Sequence, residues 1–100
     1  MLYFTQLIFI KENQEEVFNL FESRVLPLLK KYNGTLLYRV RPTEDCIVET
    51  TIGQPYELHL VTFETREDFE GYSGDKERMQ YMHLKETSIE KALLIEGKII

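Results

Sequence analysis

The 100-residue chain contains no tryptophan, one cysteine and three prolines. Its single cysteine, Cys46, cannot form an internal disulfide, which is typical of a reducing compartment. No apolar run approaches the roughly 20 residues that a transmembrane helix needs. The first ten residues lack the basic segment and the small-residue cleavage site of a signal peptide. We therefore expect a cytoplasmic protein with no membrane partner.

Basic residues are also few. The chain has 12 Lys and Arg against 17 Asp and Glu, a net charge of −5, and the basic residues are scattered along it. A surface that follows nucleic-acid phosphates normally shows as a basic face. The chain also has no glycine-rich phosphate loop, no nucleophilic serine elbow and no zinc-ligand spacing. We therefore expect no nucleic-acid partner, no metal site and no cofactor.

Several stretches rich in aliphatic and aromatic residues have the length of strands. The predicted strands cover residues 2–10, 35–40, 55–63 and 92–95, and residues 47–52 are a further short and irregular candidate. The first stretch is apolar at both odd and even positions. A half-exposed strand would alternate, so we expect this one to be covered on both sides.

The first predicted helix follows the first strand. It has Asn13 as its N-cap and an apolar stripe at helical spacing. Asn33 and Gly34 end it, as is typical of left-handed C-terminal positions. Pro27 lies on the flank of the stripe, where we expect a kink rather than a break.

A second helical region follows the strand at residues 55–63. It begins with a capping-box-like start at Thr65, is interrupted at residues 71–74 and restarts with Asp75 as its cap. The element order is therefore β-α-β-β-α-β in a single domain, residues 1–100. Right-handed crossovers then give a ferredoxin-like α+β fold, a four-stranded antiparallel sheet with the first and third strands in the middle and the helices on one face.

The other face of that sheet is predicted to be apolar. It would carry residues of the first strand together with Leu37, Val61 and Phe63. Monomers rarely expose a contiguous apolar patch larger than a few hundred Å². We therefore expect a homodimer that packs sheet to sheet about a two-fold axis, with a monomer as the alternative.

Four segments carry a family resemblance. They are Thr5-Gln6-Leu7, Leu37-Tyr38-Arg39-Val40-Arg41-Pro42, Pro55-Tyr56-Glu57-Leu58-His59-Leu60-Val61 and His83-Leu84-Lys85-Glu86. In their order and spacing they resemble the dimeric α+β-barrel superfamily, which includes antibiotic-biosynthesis-monooxygenase-like domains. The likeness covers about residues 2–97 and is greatest to small uncharacterised bacterial members.

The resemblance implies a barrel closed by two subunits, with a cavity between sheet and helices or in the lumen. Relatives of known role include cofactor-free oxygenases acting on polycyclic phenols, lactone isomerases and haem-degrading enzymes. Haem-degrading members typically rely on a tryptophan, which this chain lacks. The resemblance therefore does not favour haem, and it transfers no active-site residue.

A polar cluster is predicted from two neighbouring strands. Glu57 and His59 lie two residues apart on one strand face, and Arg39 and Arg41 share a face of the preceding strand. If residue 39 pairs near 59 and residue 41 near 57, the four side chains meet. The opposite face is apolar and suits packing under the helices (Leu36, Tyr38, Val40, Leu58 and Leu60). We therefore expect the cluster on the dimer side of the sheet.

This cluster has two interpretations. In the first, Arg39 and Arg41 bind a carboxylate or phenolate, and His59, partnered by Glu57, moves a proton near neutral pH as the catalytic pair. In the second, the same residues form an ion network that fixes the register of two subunits. A cavity reaching His59 would favour the first, and a network sealed from solvent the second.

Three further residues are candidate ligand-binding positions. Either Gln6 or Thr5, but not both, could join the cluster from the first strand, since the two point to opposite faces; Tyr3 could add aromatic surface to a pocket, although core packing is the favoured role. His83 lies near a helix end, where capping is the competing explanation. We therefore expect a homodimer that binds a small organic ligand or serves as an interaction protein. The alternative is a cofactor-independent monooxygenase- or isomerase-like enzyme on a small aromatic or carbonyl compound, with His59 as acid and base.

Overall fold

The computed structural model describes all 100 residues, Met1–Ile100. The strands are β1 (Leu2–Ile10), β2 (Gly34–Val40), β3 (Glu57–Phe63) and β4 (Ile89–Gly97). The α-helices are α1 (Glu15–Val25), α2 (Arg66–Ser73), α3 (Lys76–Met79) and α4 (Met82–Ser88). Two 3-10 segments, Leu26–Tyr32 and Glu44–Cys46, complete the regular structure. None of the helices is long and apolar enough to cross a membrane.

The strands form one antiparallel sheet in the order β2-β3-β1-β4. The sheet confirms the predicted ferredoxin-like α+β fold, with the first and third strands in the middle. β1 pairs with β3 and also with β4, so the strand that is apolar on both faces also has both edges hydrogen-bonded. The helices cover one face of this sheet, which we call the inner face, and leave the other, the open face, without a covering layer.

The first helical region differs from its prediction at both of its special residues. Asn13 is not the cap: it has a left-handed φ of 63°, and the N-cap is Gln14. Pro27 does not merely kink the helix, because α1 ends at Val25 and the chain continues as a 3-10 helix with proline in its first turn. Proline has no N–H to donate and its ring clashes with the preceding turn, so the α-helical ladder stops there. Asn33, with φ of 54°, closes the region as predicted.

The second helical region confirms both predicted caps. The Thr65 hydroxyl accepts a hydrogen bond from the Asp68 backbone N–H at 3.1 Å, and the Asp75 carboxylate accepts one from the Arg78 N–H at 2.8 Å. The predicted short strand at 47–52 is wrong, since the connection from β2 to β3 contains only the 3-10 turn Glu44–Cys46. β4 is longer at both ends than predicted.

The core lies between the inner face and the helices. Its buried apolar side chains come from β1, α1, the long 3-10 helix and β3 (Phe4, Ile8, Phe18, Phe21, Val25, Leu28, Leu29 and Phe63), while Phe9 is buried on the opposite side of β1. The Phe4 ring stacks on Phe69 at a centroid distance of 4.4 Å and meets Phe63 edge to face. A Cβ on Gly34 would lie 2.8 Å from the Phe63 ring, so glycine lets β2 begin tightly against this cluster.

The open face carries a different set of apolar residues from the one predicted. Val61 and Phe63 pair with Phe4 and Leu2 on the inner face, so their assignment to the open face was wrong. The register instead places on the open face side chains from all four strands (Tyr3, Leu7, Tyr38, Val40, Leu58, Leu60, Leu93 and Ile95). Those on the two edge strands are the most exposed, Tyr38 at 64% and Ile95 at 53%.

Candidate functional site

Glu57 and His59 point toward the helices and not toward the open face. Side chains alternate along a strand, and β3 buries Phe63 in the core, so every second residue back from it also faces inward. Glu57 is fully buried and His59 is nearly so. The prediction that this pair faces the dimer side is therefore wrong, because strand alternation says which residues share a face but not which face the helices cover.

A β-bulge in β2 turns the side chains of Arg39 and Arg41 toward the inner face, where Glu57 and His59 lie. The pairing between β2 and β3 shifts between Leu36 and Tyr38, which leaves Leu37 unopposed. Without the bulge, Leu36 and Arg39 would lie on opposite faces; with it, both face inward. Arg39 then pairs with His59 across the strands, which confirms the predicted register.

Glu57 is the centre of the cluster. It accepts hydrogen bonds from Arg39 Nε at 3.0 Å and from Arg41 Nε at 2.9 Å, and it hydrogen-bonds His59 Nε2. Burial alone would raise the pKa of Glu57, but the hydrogen bonds from His59, Arg39 and Arg41 outweigh it and lower the pKa to about 2. Glu57 is thus ionised at neutral pH, and because an ionised carboxylate only accepts, His59 Nε2 carries the proton of their shared hydrogen bond.

Arg41 is held by more than its ion pair. Its Nη2 donates to the Asn19 side-chain oxygen at 2.6 Å, and its guanidinium lies 4.8 Å from the centre of the Tyr56 ring. Both arginines remain partly exposed, while Glu57 is sealed. The two guanidinium groups therefore neutralise the carboxylate of Glu57. The prediction that Arg39 and Arg41 bind the anionic group of a ligand is not supported, because both already bind Glu57.

A second buried carboxylate, Glu22 on α1, approaches His59 from the helix side. Its Oε2 lies 3.8 Å from His59 Nε2 and has no hydrogen-bond partner. Burial raises the pKa of Glu22 to about 7, with His59 opposing that rise and Glu57 adding to it. Glu22 is therefore a carboxyl group that exchanges its proton near neutral pH, in contrast to Glu57.

Sequence reasoning missed Glu22. The signal was its position one turn after Phe18 and one turn before Val25, both of which are buried on the inward stripe of α1. A carboxylate within an apolar helical stripe is seldom buried unless it is paired or protonated, so its presence there is itself informative.

Glu22, Glu57 and His59 also form the chain's candidate metal-ligand set, with ligand atoms all within 4.8 Å of one another. Their hydrogen bonds argue against that use. Glu57 receives two guanidinium N–H groups, and His59 directs its Nε2 proton to it, so a cation would have to displace three donors. The arrangement fits an internal ion network better than a metal site.

A cavity of about 300 Å³ lies between the inner face and the helices, beside His59 and Glu22. Its walls are mostly apolar, and aromatic side chains supply much of them (Phe4, Phe21, Phe63, Phe69 and Tyr72). Its polar lining comes from both layers (Gln6, Glu22, His59, Ser73, Arg78 and Lys85).

Only two of the predicted site residues line this cavity, Gln6 and His59, which pair across β1 and β3. Glu57 is adjacent to His59 but is not part of the lining, and neither are the arginines that bind it. Tyr3 lies on the open face, and His83 is exposed on α4. The structure therefore brings Arg39, Arg41, Glu57 and His59 together in one cluster. Gln6 lies beside His59 in the cavity wall, and Tyr3 and His83 lie away from the cluster.

Neither a protein-family model nor a curated protein matches the chain. Solved structures do resemble it. A protein of unknown function from Rhodopseudomonas palustris has a TM-score of 0.83 at 9% identity, covering 99% of this chain and 82% of that one. A Dabb family protein with a ferredoxin-like fold from Mesorhizobium loti has a TM-score of 0.68 at 13% identity, covering 99% and 96%. A dimeric protein of unknown function with a ferredoxin-like fold from Bacteroides fragilis has 0.68 at 10%, covering 98% and 95%. At these identities the likeness shows a ferredoxin-like fold and indicates no specific function.

Proposed function

We propose that this protein is a homodimer that binds a small aromatic organic ligand in the cavity between its sheet and its helices. The observation that carries the proposal is the cavity itself. At about 300 Å³ it has the size of the smaller ligand pockets, with apolar walls and a few convergent polar groups. One of those groups, Glu22, is buried without a hydrogen-bond partner.

The dimer is proposed from the open face. Tyr38, Val40, Leu93 and Ile95 are exposed there around the half-buried Leu58 and Leu60. A second copy packed sheet to sheet would cover this apolar surface. One structural neighbour is described as dimeric. We also propose a cytoplasmic location, supported by the lone cysteine, and membership of the antibiotic-biosynthesis-monooxygenase-like α+β barrels, supported by the four segments that resemble them and by the shared fold.

The ligand proposal is tested by titrating isotope-labelled protein with phenol and following backbone amide shifts. We expect shifts concentrated at the lining residues of β1, β3 and α1. Val61→Phe, which fills the cavity from β3, should remove them, whereas Val48→Phe, at a fully exposed loop position, should not. Shifts spread over the surface, or unchanged in Val61→Phe, would contradict a cavity ligand.

The dimer is tested separately by native mass spectrometry. Val40→Glu places a charge on the open face and should give a monomer, while His59→Ala, beneath the helices, should remain dimeric. A monomeric wild-type protein would refute the sheet-to-sheet arrangement. Loss of the dimer in His59→Ala would instead support the interpretation that the Arg39, Arg41, Glu57 and His59 cluster stabilises the subunit interface.

A second candidate function, cofactor-independent acid–base catalysis, is favoured by one observation. His59 lies between an ionised carboxylate and Glu22, whose pKa of about 7 populates both protonation states near neutrality. General acid–base catalysis needs such a group beside an apolar pocket. Its substrate would be a small carbonyl compound, including an aromatic ketone, from whose α-carbon the ionised form of Glu22 removes a proton, while the electron pair of the broken C–H bond moves onto the carbonyl oxygen as an enolate.

Catalysis is tested by following the exchange of α-protons of phenylacetone in D₂O by NMR. We expect wild-type protein to accelerate the exchange, and Glu22→Gln to lower the protein-catalysed rate by about 100-fold or more, the usual worth of a general base. Glu16→Gln, exposed on the same helix, is the control. Exchange at the buffer rate with wild-type protein would exclude this chemistry for such ketones.

A further inference from the structure

The chain has two buried side-chain polar atoms without a hydrogen-bond partner, and both belong to residues that line the same cavity. They are Glu22 Oε2 and Arg78 Nε. Buried polar groups in folded proteins are almost always hydrogen-bonded, so each such exception calls for an explanation. A ligand that fills the cavity and bonds to both atoms explains the two together.

The guanidinium of Arg78 is oriented so that it can bind an anion. Its Nη1 donates to the Ser73 carbonyl oxygen at 3.3 Å, and its guanidinium lies 4.8 Å from the centre of the Tyr72 ring. These contacts fix the orientation of the guanidinium and leave Nε unused. A carboxylate is the group that matches the adjacent N–H donors of a fixed guanidinium. Lys85 adds a second positive charge to the lining.

Glu22 favours a different group. Its unpartnered oxygen can accept a hydrogen bond from a hydroxyl or donate one to it, depending on its proton. A ligand carboxylate placed beside it would be repelled by the ionised form of Glu22 and by Glu57, whereas a hydroxyl would not. Glu22 therefore favours a hydroxyl, and Arg78 with Lys85 favours an acid group.

The apolar walls of the cavity set the body of the ligand. Phe4, Phe21, Phe63 and Phe69 contribute aromatic walls, against which a flat aromatic ring packs well. The cavity volume of about 300 Å³ lies at the lower end of the range of ligand pockets. A single aromatic ring with its substituents fits within it.

We propose that the cavity takes a hydroxylated aromatic monocarboxylate, with its carboxylate on Arg78 and Lys85 and its hydroxyl on Glu22. This inference rests on the proposed ligand-binding function and names the ligand class for it. Arg78 and Lys85 supply the charge, Glu22 and the neighbouring His59 supply the polar end, and the phenylalanine walls supply the packing.

The test compares 4-hydroxybenzoate with two fragments of it, benzoate and phenol, by calorimetric titration of the wild-type protein at pH 7. We expect 4-hydroxybenzoate to bind at least tenfold more tightly than either fragment. Arg78→Gln should remove its advantage over phenol, and Glu22→Leu should remove its advantage over benzoate. Arg24→Gln and Glu16→Leu, at exposed positions of α1 outside the lining, are the matched controls and should bind as wild type.

The outcomes separate this inference from the function on which it rests. Phenol binding in the cavity with 4-hydroxybenzoate no tighter would overturn the ligand class and leave a cavity-binding protein. Failure of all three compounds to bind the wild-type protein would overturn both. The comparison among three ligands on wild-type protein decides the question even where a substituted chain does not fold.

Discussion

Glu22 and Glu57 differ in protonation although both are buried and both approach His59 Nε2. Glu57, on a strand, receives two guanidinium groups, from Arg39 on β2 and from Arg41 just after it, and its pKa falls to about 2. Glu22, on a helix between aromatic side chains, receives none, and burial raises its pKa to about 7. Both side chains are sealed from solvent, but Glu57 receives charged hydrogen bonds that outweigh its burial, whereas Glu22 has no such bonds and its burial dominates.

The difference divides the cluster into two parts. The Glu57 end is an ion network that links Arg39, Arg41 and His59 through one carboxylate. The Glu22 end borders the cavity and has an oxygen available for a ligand. A change in pH or sequence should therefore act in opposite directions at the two ends.

The largest expected effect is that of Glu57→Gln. A carboxylate with a depressed pKa contributes stability above its unfolded pKa, and that contribution is lost as the pH falls from 4.5 through about 2. We expect the variant to lose about 3 kcal/mol of unfolding free energy at pH 7 and far less at pH 2.5. Urea unfolding at the two pH values measures this. A loss below about 0.5 kcal/mol at pH 7, the size of an ordinary surface substitution, would mean that the network does not stabilise the fold.

Glu22→Gln should act in the opposite sense. A carboxyl with a raised pKa is most stable when protonated, so wild-type stability should fall as the pH rises from 4.5 through 7. The variant should match wild type at pH 4 and exceed it by about 2–3 kcal/mol at pH 8. Glu16→Gln, exposed on the same helix, controls for the change of charge. Equal stability curves for Glu22→Gln and wild type would show that Glu22 ionises without cost.

Combining the two substitutions sharpens the comparison. The two carboxylates repel each other, and the Glu57 charge contributes to the raised pKa of Glu22. Without Glu57, the gain from Glu22→Gln at pH 8 should therefore shrink, with a coupling energy of about 1 kcal/mol in a double-mutant cycle. If the changes in unfolding free energy of the two substitutions are additive, the charges of Glu22 and Glu57 do not interact.

Arg41→Gln should have the smallest effect. The arginine is half-exposed, so water replaces part of its ion pair, and Glu57 keeps its bonds to Arg39 and His59. We expect a loss of about 1 kcal/mol, most of it from the bond to Asn19 and the packing on Tyr56. Urea unfolding beside Arg24→Gln measures it. A loss as large as that of Glu57→Gln would show that Arg41 alone neutralises the carboxylate.

Much of the fold was accessible from the sequence because its signals are local. Apolar runs of strand length marked the four strands, and Thr65 and Asp75 marked helix starts through hydrogen bonds to their own next turn. The pairing of Arg39 with His59 was assumed in the prediction of the cluster, and the structure confirms it. Each of these inferences depends on residues near one another in sequence or on the topology of a small sheet.

The candidate site was less accessible because its assembly depends on packing between layers. β3 alternates between two half-apolar sets, and nothing within it says that Glu57 and His59, rather than Leu58 and Leu60, face the helices. The large side chains Phe4 and Phe63 decide that, by filling the space beneath α2 and the 3-10 helix. The bulge at Leu37, which turns both arginines inward, leaves no mark that single-residue propensities detect.

The strand order has a consequence for how the chain reaches this structure. β1 is synthesised before the other elements of the sheet. Its hydrogen-bonding partners begin only at residue 57 on one edge and residue 89 on the other. Until those segments exist, β1 is an apolar strand with two unpaired edges, the kind of segment through which nascent chains associate with one another. Its partners are also distant in sequence, which slows folding relative to a helical protein of equal length. The central position that gives β1 full hydrogen bonding in the folded state therefore makes it the segment most exposed to aggregation during synthesis.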